Sequence, residues 1–380
     1  MIYFDYQASS PLSEEAFAAM VPYWKESFGN PHSSEHIVGW KANEAVEKAQ
    51  ETVAQLIGAD TDEIVFTSGA TEANNLALIG MAPSISARPR VAVSPIEHKC
   101  VLASARTIRD KLGFEVERLR VDPTGVVDFE HLEAILSKGI SICSVGAVNN
   151  EIGTIQDIER ISEACRRHGT LFHCDAAQAP VALDITALAR SADLISLSAH
   201  KMYGPMGIGA LFVRRELQGQ IVPGIVGGGQ QNNIRSGTLP LPLVVGFGAA
   251  AEQLTRPDAH EERERVAMLR NRLANEVLAL DDGFTLNGPS FQNRHPGNLN
   301  VCFRGFDAQD ILASLQPKLA ASSGSACTSG IPEPSHVLRA IGLDAEDAEA
   351  SVRFSIGRLT NADEIISATE LIADTIEKLR

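Results

Sequence analysis

The sequence predicts an α/β protein with a mostly parallel sheet covered on both faces, followed by a smaller α+β unit. Two observations lead to this prediction. Between residues 64 and 213, short apolar runs typical of buried strands alternate with helical patterns of about 10–15 residues, as in crossover connections between parallel strands. Beyond Pro257 the composition changes, and helical patterns alternate with three shorter strand-like runs.

Length, composition and charge exclude several classes of protein. The 380 residues suffice for two or three domains, and 44% hydrophobic and 21% charged residues are typical of a globular chain. A formal net charge of −15 disfavours an extended nucleic-acid-binding surface, although it leaves room for a local basic patch. No apolar run reaches the roughly 18–20 residues that span a bilayer, and the N-terminus lacks a signal-peptide pattern, so we expect a cytoplasmic protein.

The first elements lead up to a candidate anion site. A strand, IYFDY, precedes a helix that begins after Ser13, and a second helical pattern runs from Trp40 to Ile57. Strand EIVFT then meets the turn and helix SGATEANNLAL. The unpaired N–H groups at the start of such a helix suit a phosphate at Ala70 and Thr71. A helix capped merely by the Ser68 or Thr71 side chain explains the pattern equally well.

Polar residues stand at the ends of the following strands. These strands have the sequences RVAVS, EVERLRV, SICSVGAV and TLFHCD, and a strand–turn–strand pattern occupies residues 196–213. Ligands of open parallel sheets bind off the carboxyl ends of the strands. The residues found at these ends are His98, Asn150, Asp175, His200 and Lys201. We therefore expect a site along this edge of the sheet.

Lys201 indicates what such a site would bind. A lysine between two buried strands is costly to desolvate, and a deprotonated lysine can form a Schiff base with an aldehyde, as in pyridoxal phosphate (PLP) enzymes. A lysine that snorkels beside a Gly/Pro turn is the alternative, and for a lone lysine it would be preferred. Asp175 would pair with a pyridinium nitrogen, His98 would stack on the ring, and the 68–71 turn would hold the phosphate. Together these residues favour a PLP site.

Two other motifs favour structural explanations. His32 and His36 have the spacing of two metal ligands on a helix, but the Gly-Asn-Pro start argues against a helix and no third ligand is near, so we predict no metal site. The pattern G-x-G-x-x-A at Gly246, Gly248 and Ala251 resembles a dinucleotide fingerprint. We interpret it as helix, because the run continues into a long charged helix and no ribose-binding acid follows.

One cysteine differs from the others. The six cysteines form no C-x-x-C pair, which favours reduced thiols over a zinc ribbon or a disulfide framework. Cys327 lies among small residues in SSGSACTSGIPEP, which predicts an accessible thiol on a loop. The alternative is a buried small-residue turn with an inert thiol.

A series of motifs in order along nearly the whole chain carries a family resemblance. These are DYQASSP, GNPHSSEH, EIVFTSGATEANNLA, EHK, VNNEIG, HCDAAQ, SLSAHKMYGPMGIGALFVRR, RSGTLP, SSGSACTS, EPSHVLRAIG and SVRFSIGR. With them the chain resembles the NifS/IscS-type cysteine desulfurases, which belong to the class V aminotransferase family and to the aspartate aminotransferase-like, fold-type I PLP enzymes. The resemblance implies a large domain with a seven-stranded sheet.

We predict two domains. Residues 13–256 form the large, PLP-binding domain, and residues 1–12 with 257–380 form a small α+β domain. The segment of about residues 322–334, which contains the catalytic cysteine, belongs to the small domain.

The resemblance also implies residue roles. Lys201 matches the PLP-linked lysine, Asp175 the partner of the pyridine nitrogen, and His98 a stacking histidine that transfers protons. Cys327 matches the catalytic cysteine, and Arg353 the arginine that binds the substrate carboxylate. The other implied contacts to cofactor or substrate are Ala70, Thr71, Asn150, Gln178, Ser198, His200 and Thr238. Since the residue matching Thr238 contacts the phosphate of the other subunit, a homodimer is implied.

The implied activity is the PLP-dependent conversion of L-cysteine to L-alanine. Sulfur would pass through a persulfide on Cys327 to an acceptor protein of iron–sulfur cluster assembly, tRNA thiolation or DNA phosphorothioation. The alternatives are a PLP aminotransferase or a selenocysteine lyase, neither of which needs Cys327, and a non-enzymatic sulfur carrier, which would lack the visible absorbance of PLP.

The chain departs from the family pattern in three respects, of which Ala177 in place of a common threonine is a minor one. Gln231, Asn232 and Asn233 stand where a charged Glu-Arg pair is common, and no C-terminal tail follows the last helix. In the housekeeping enzymes that tail helps to bind the scaffold protein. A specialised desulfurase, such as that of DNA phosphorothioation systems, is therefore a further possibility, and the acidic charge then predicts that a partner contacts the DNA.

Overall fold

The computed structural model describes residues 1–323 and 334–380. Its strands are β1 (Ile2–Tyr3), β2 (Ile64–Thr67), β3 (Arg90–Val93), β4 (Glu115–Arg118), β5 (Ile142–Ser144), β6 (Leu171–Asp175), β7 (Leu194–Ser198), β8 (Gly209–Val213), β9 (Phe284–Leu286), β10 (Asn298–Phe303), β11 (Leu319–Ala320) and β12 (Ser351–Ser355). Its helices are α1 (Glu14–Lys25), α2 (Ile37–Ile57), α3 (Ala70–Leu78), α4 (Lys99–Leu112), α5 (Phe129–Leu136), α6 (Ile158–Arg167), α7 (Leu188–Ser191), α8 (Leu241–Leu254), α9 (Asp258–Leu278), α10 (Ala308–Leu315), α11 (His336–Ala340), α12 (Ala345–Glu349) and α13 (Ala362–Leu379).

A seven-stranded sheet organises the larger part of the molecule. Its strand order is β2-β8-β7-β6-β5-β3-β4, and only β8 runs antiparallel to its neighbours among these strands. The predicted mostly parallel sheet of seven strands is therefore confirmed. Thr67 and Ser198 both pair with Gly209, so β2 and β7 end at the same edge of the sheet.

Both faces of this sheet are buried, as expected for parallel strands. On one face Phe66, Phe172 and Phe212 pack with α2, α5, α6 and α8. On the other face Val91 and Leu211 pack with α3 and α4. Because helices fill both faces, only the edge at the carboxyl ends of the strands is left for a ligand.

The C-terminal elements enclose a separate hydrophobic core. β10 pairs antiparallel with both β9 and β12, and β11 pairs with β1. Phe4 packs into this core with Phe303 and Phe354, together with residues of α9, α10 and α13. The first residues of the chain are thus packed among the last hundred.

Some predicted boundaries were wrong. The helix expected to continue past the G-x-G-x-x-A pattern stops at Leu254, and α9 starts at Asp258, because Pro257 disfavours helix in the residue before it. The pattern itself lies in α8, where a Cβ on Gly248 would come within 2.7 Å of the Ala49 Cα. Its glycines therefore allow close helix packing.

The two histidines with metal-ligand spacing have another arrangement. His36 is the N-cap of α2, where its Nδ1 accepts the Gly39 N–H at 3.1 Å, and the helix therefore starts at Ile37 instead of Trp40. Within residues 1–323 and 334–380, no group of three His, Cys, Asp or Glu side chains could hold a metal ion.

A helix that spans a bilayer must be both long and apolar. Across the described ranges, none of the helices is both long and apolar enough to span one.

A buried arginine ties α9 to the second core. Arg270 is 1% exposed, and its guanidinium donates to the carbonyls of Phe291, His295 and Asn298 at 3.0–3.1 Å. Burial lowers its pKa to about 10, which leaves it charged at neutral pH. The His295 carbonyl also accepts the Asn298 N–H at 3.0 Å, so the carbonyls of Phe291 and Asn298 depend more strongly on this side chain.

Substitution of Arg270 by leucine is expected to destabilise the protein by about 3 kcal/mol, because it leaves buried carbonyls unpaired. The control is Arg272→Leu on the same helix, which loses only an exposed pair with Glu276, worth about 0.5 kcal/mol or less. Urea unfolding of both variants measures the difference. Equal effects would contradict the role of Arg270.

Candidate active site

The start of α3 is shaped as an anion site. Its N-cap, Gly69, has φ +148°, a conformation that favours glycine, and no side chain caps the helix. The predicted alternative, capping by the Ser68 or Thr71 side chain, is therefore wrong. In the described structure no hydrogen bond occupies the backbone N–H of Ala70 or Thr71, so both remain available to an anion.

The end of β7 lies beside this helix start. A Cβ on Gly209 would come within 2.7 Å of the Gly69 Cα and 2.5 Å of the Leu197 carbonyl oxygen, so the two segments are in backbone contact. Ser198 Oγ lies 3.1 Å from His200 Nδ1. Burial, with the nearby Lys201 charge, lowers the pKa of His200 to about 4, so its ring is neutral at pH 7. Backbone and side-chain donors thus converge at one place.

A carboxylate is buried at the end of β6. Asp175 is 9% exposed, and its Oδ2 accepts from Asn74 Nδ2 at 2.7 Å while Oδ1 accepts the Ala177 N–H at 3.0 Å. Asn74 Nδ2 also lies 3.2 Å from Cys100 Sγ, which is 2.9 Å from His98 Nδ1. The chain of contacts connects Asp175 to His98, as their shared sheet edge predicts.

His98 has a defined orientation at the start of α4. Its Nδ1 accepts the Cys100 N–H at 3.2 Å, so a neutral ring carries its proton on Nε2. The carbonyl of the preceding residue, Glu97, lies 2.9 Å from His336 Nε2. Burial raises the pKa of the Glu97 carboxyl to about 8, so this group is mostly protonated at neutral pH.

Lys201 and Gln178 meet at the N-terminal segment. Lys201 lies in the 3-10 turn Ala199–Lys201 and donates from Nζ to the carbonyls of Gln7 and Ala8, both at 2.6 Å. Gln178 Nε2 donates to the same Gln7 carbonyl at 3.0 Å. The Gln7 side-chain Nε2 is buried and finds no hydrogen-bond partner in the described part of the chain. The lysine is thus held among polar groups and is only half-buried, as an accessible amine requires.

An arginine with one unused donor lies on β12. Arg353 has a side chain 4% exposed, with Nη2 donating to Asp5 Oδ1 at 2.6 Å and Nη1 donating to the Asn150 carbonyl at 2.8 Å. Its Nε is buried and has no hydrogen-bond partner among residues 1–323 and 334–380. The structure therefore brings Arg353 and Asn150 together, as the sequence predicts, and adds an ion pair with Asp5.

Both ends of the segment containing Cys327 are attached to this site. Ser322 exchanges two backbone hydrogen bonds with Arg353, at 2.6 and 3.1 Å. Ser335 Oγ accepts the N–H groups of α11 and donates to Glu151 Oε2 at 2.5 Å. Cys327 itself lies outside the described residues, so its predicted position stays a prediction.

Thr238 does not join the other predicted residues. It is exposed on the loop between β8 and α8, which is tied to α3 by an ion pair of Arg235 with Glu72 at 2.8 Å. Burial alone would raise the pKa of Glu72, but its hydrogen bonds from Arg235 and Ser68 hold the pKa below its usual value. In the same loop Gln231 pairs through its side-chain amide with the backbone of Phe66, at 2.6 and 3.0 Å.

Sequence reasoning missed several polar residues of the site. Asp5, Gln7, Asn74 and Glu151 all lie in motifs that were noticed, but none stands directly at a strand end. Cys100, which sequence reasoning did not single out, contacts His98. Their roles depend on contacts between distant segments, for which the sequence carries no local signal.

The chain is similar to known proteins over nearly its whole length. The family model "Aminotransferase class-V" matches residues 2–367. Cysteine desulfurase IscS of Rickettsia rickettsii is 44% identical over 380 residues, which are 100% of this chain and 92% of that protein. A solved NifS-like protein has a TM-score of 0.91 at 32% identity, covering 100% of both chains. SspA in complex with cysteine has a TM-score of 0.80 at 35% identity, covering 95% of this chain and 100% of that one.

Substitution of Gly209 by alanine is expected to weaken PLP binding roughly tenfold to a hundredfold, since overpacking costs about 1–3 kcal/mol and displaces the Gly69 backbone. PLP titration followed by absorbance measures the effect. The control is Gly224→Ala, whose new Cβ would meet nothing within 4 Å. Unchanged affinity in the Gly209 variant, with the same melting temperature, would contradict the assignment.

Proposed function

This chain belongs to the class-V aminotransferase family and is a PLP-dependent cysteine desulfurase, and we propose that the strand-end cluster around Asp175, Lys201 and Arg353 is its active site. The observation that carries the proposal is the convergence of three groups from two sheets: Asp175 and Lys201 follow the neighbouring strands β6 and β7, and Lys201 and Arg353 both contact residues 5–8. A buried carboxylate, an amine and a buried guanidinium come from β6, the turn after β7, and β12.

The residues present fit PLP. The open N–H groups of Ala70 and Thr71, with Ser198 and His200, would hold the phosphate. Asp175, fixed by Asn74 and the Ala177 N–H, would bind the pyridine nitrogen, and His98 would lie against the ring. Lys201 Nζ would bind the aldehyde, and Gln178 a polar ring substituent. When bound, PLP supplies an electron sink that makes the carbon–sulfur bond of cysteine labile.

Arg353 and Asn150 would orient L-cysteine. The guanidinium is held in place by Asp5 and the Asn150 carbonyl before substrate arrives, and its unpaired Nε and remaining Nη hydrogens suit a carboxylate. Because the guanidinium is already held in place, its side chain loses little conformational entropy when the substrate binds. Lys201 and His98 are the groups available to move protons at the substrate carbons.

Cys327 would take the sulfur. Its thiolate attacks the substrate sulfur, a sulfur–sulfur bond forms as the carbon–sulfur bond breaks, and the substrate β-carbon gains a proton. The products are L-alanine and a persulfide on Cys327, so no external oxidant or reductant is required. The attachments of Ser322 to Arg353 and of Ser335 to Glu151 support this assignment, because they bring the ends of the segment to the substrate site.

The persulfide sulfur would pass to a protein acceptor, by one of the three routes that the family resemblance implies. An acceptor with a free thiol can take the outer sulfur by exchange.

A homodimer would complete the site. Thr238, exposed in one chain, would bind the phosphate of the partner subunit. An apolar patch on and after α1 supports a subunit interface: Phe17, Val21, Trp24 and Phe28 are 54%, 44%, 61% and 72% exposed.

The domain division at residues 13–256, with 1–12 joined to 257–380, belongs to the same proposal. It is supported by the separate hydrophobic core that combines Phe4 with residues 266–376.

Cys327→Ser is expected to keep PLP absorbance but to reduce sulfide release in the presence of dithiothreitol to background, because the nucleophile is removed. The control is Cys302→Ser, where a hydroxyl can replace the thiol that faces Asp347. Alanine formation and methylene-blue detection of sulfide are the measurements. Full turnover by Cys327→Ser would rule out its role.

Asp5→Asn is expected to raise the KM for cysteine roughly tenfold, equivalent to about 1.4 kcal/mol, with kcat almost unchanged. The reason is that Asp5 holds Arg353 for the substrate carboxylate. The control is Asp281→Asn, which loses an exposed pair with Arg380. A lower KM in the Asp5 variant would show that Asp5 competes with substrate instead.

A further inference from the structure

We propose that a groove between α4, β4 and α11 docks an acidic, thiol-bearing segment of the sulfur acceptor. The inference rests on the proposed transfer of sulfur from Cys327. The groove has a volume of about 720 Å³. Its cationic lining residues, which define the basic groove, are Lys99, Arg106, Arg109, Arg118 and Arg339.

The charge of the basic groove opposes that of the whole chain. The protein has 48 acidic and 33 Lys or Arg residues, so an average surface region would carry more carboxylates than cations. Yet no aspartate or glutamate is among the described residues that line the groove. Such a concentration of one sign in a concave surface focuses the field and attracts an oppositely charged partner.

The cations of the basic groove are largely unneutralised. Lys99, Arg106 and Arg118 form no salt bridge within the parts of the chain that are described. Arg109 pairs only with its exposed neighbour Asp110, at 2.7 Å. Arg339 donates to a backbone carbonyl and has no carboxylate partner among the described residues.

The carboxylates of the nearby strand are already paired elsewhere. On β4, Glu115 binds Arg90 at 2.8 Å and Glu117 binds Lys138 at 2.9 Å. These carboxylates are therefore compensated by Arg90 and Lys138, which do not line the groove. The positive field of the groove remains available to a ligand.

The spacing of the cations favours an extended ligand. Lys99, Arg106 and Arg109 recur at helical spacing on one face of α4, and Arg118 and Arg339 face them from two other elements. Val93, Leu102 and Val116 also line the groove and give it apolar surface. An acidic peptide segment with an apolar side chain fits this combination better than a small anion.

The groove adjoins the predicted sulfur donor. Pro334 and His336 line it, and Cys327 precedes Pro334 by only seven residues, which span at most about 25 Å when extended. His336 also contacts the Glu97 carbonyl, next to His98. Burial, with the charges of Lys99, His98 and Arg118, lowers the pKa of His336.

The chemistry of transfer agrees with a cationic dock. The acceptor thiolate attacks the outer sulfur of the Cys327 persulfide, a new sulfur–sulfur bond forms, and the Cys327 thiolate leaves. The acceptor becomes the persulfide, and no electrons are exchanged with a third molecule. Nearby cations favour the attacking thiolate over the thiol.

A protein fits the basic groove better than a nucleic acid. A DNA or RNA strand carries a continuous row of phosphates, and outside the groove it would meet the acidic surface of a chain with net charge −15. A short acidic segment can place all its charge within the groove.

The experiment measures binding and sulfur transfer with the PLP-loaded full-length enzyme. The probe is a fluorescein-labelled, glutamate-rich peptide with one cysteine, and a glutamine-rich peptide and a single-stranded DNA oligonucleotide are compared with it. Arg106→Glu combined with Arg118→Glu reverses two groove charges. Lys318→Glu combined with Lys378→Glu makes the same change of charge on exposed residues elsewhere.

The groove variant is expected to bind the glutamate peptide roughly tenfold more weakly than wild type and the matched variant, with a parallel loss of persulfide transfer to it. Sulfide release to dithiothreitol, which needs no docking, should be unchanged. Equal binding by both double variants, or equally tight binding of the glutamine peptide or the DNA, would overturn the proposal. Fluorescence anisotropy with a peptide in which serine replaces the cysteine measures docking alone. If the enzyme released no sulfide, that result would refute only the role of Cys327, and the anisotropy would still test the groove.

Discussion

The turn Asn149–Glu151 is the constraint on which the proposed site depends. The Asn149 side chain accepts the N–H groups of Glu151 and Ile152 and donates to the Ile96 carbonyl, which holds the turn beside the His98 segment. The carbonyl of Asn150 receives Arg353, and the carbonyl of Glu151 receives two asparagine side chains of β10. The Glu151 carboxyl receives Ser335. A single turn therefore connects the His98 segment, Arg353 and Ser335, which the proposal assigns to cofactor binding, substrate binding and the flank of the Cys327 segment.

Residues 5–8 of the N-terminal segment also hold residues of the proposed site together. Asp5 pairs with Arg353, and the Gln7 carbonyl accepts from both Lys201 and Gln178. A buried arginine without a counter-charge would strongly destabilise the protein. Asp5 supplies that counter-charge to Arg353 and leaves other guanidinium N–H groups for a substrate. These contacts join residues that are far apart in the sequence.

Charge is distributed according to what each region would bind. The chain is acidic overall, but its positive groups are concentrated where anions are proposed to bind: the open start of α3 for phosphate, Arg353 for the substrate carboxylate, and the basic groove for the acceptor. The first two are small and partly buried, which gives them selectivity for a compact anion. The third is exposed and wide, which suits a transient partner that must leave after each transfer.

Strand and helix periodicity in the sequence determined the alternating α/β order. Strand-end positions predicted that His98, Asn150, Asp175 and Lys201 share a site, because parallel strands bring their carboxyl ends to one edge. Periodicity is local, however, and cannot show which distant segments meet. The pairing of Asp5 with Arg353, the link from Asp175 through Asn74 to Cys100 and the convergence of five cations in the basic groove were decided only by tertiary structure. Each joins residues on separate elements, and their contact follows from how layers pack and not from any spacing along the chain.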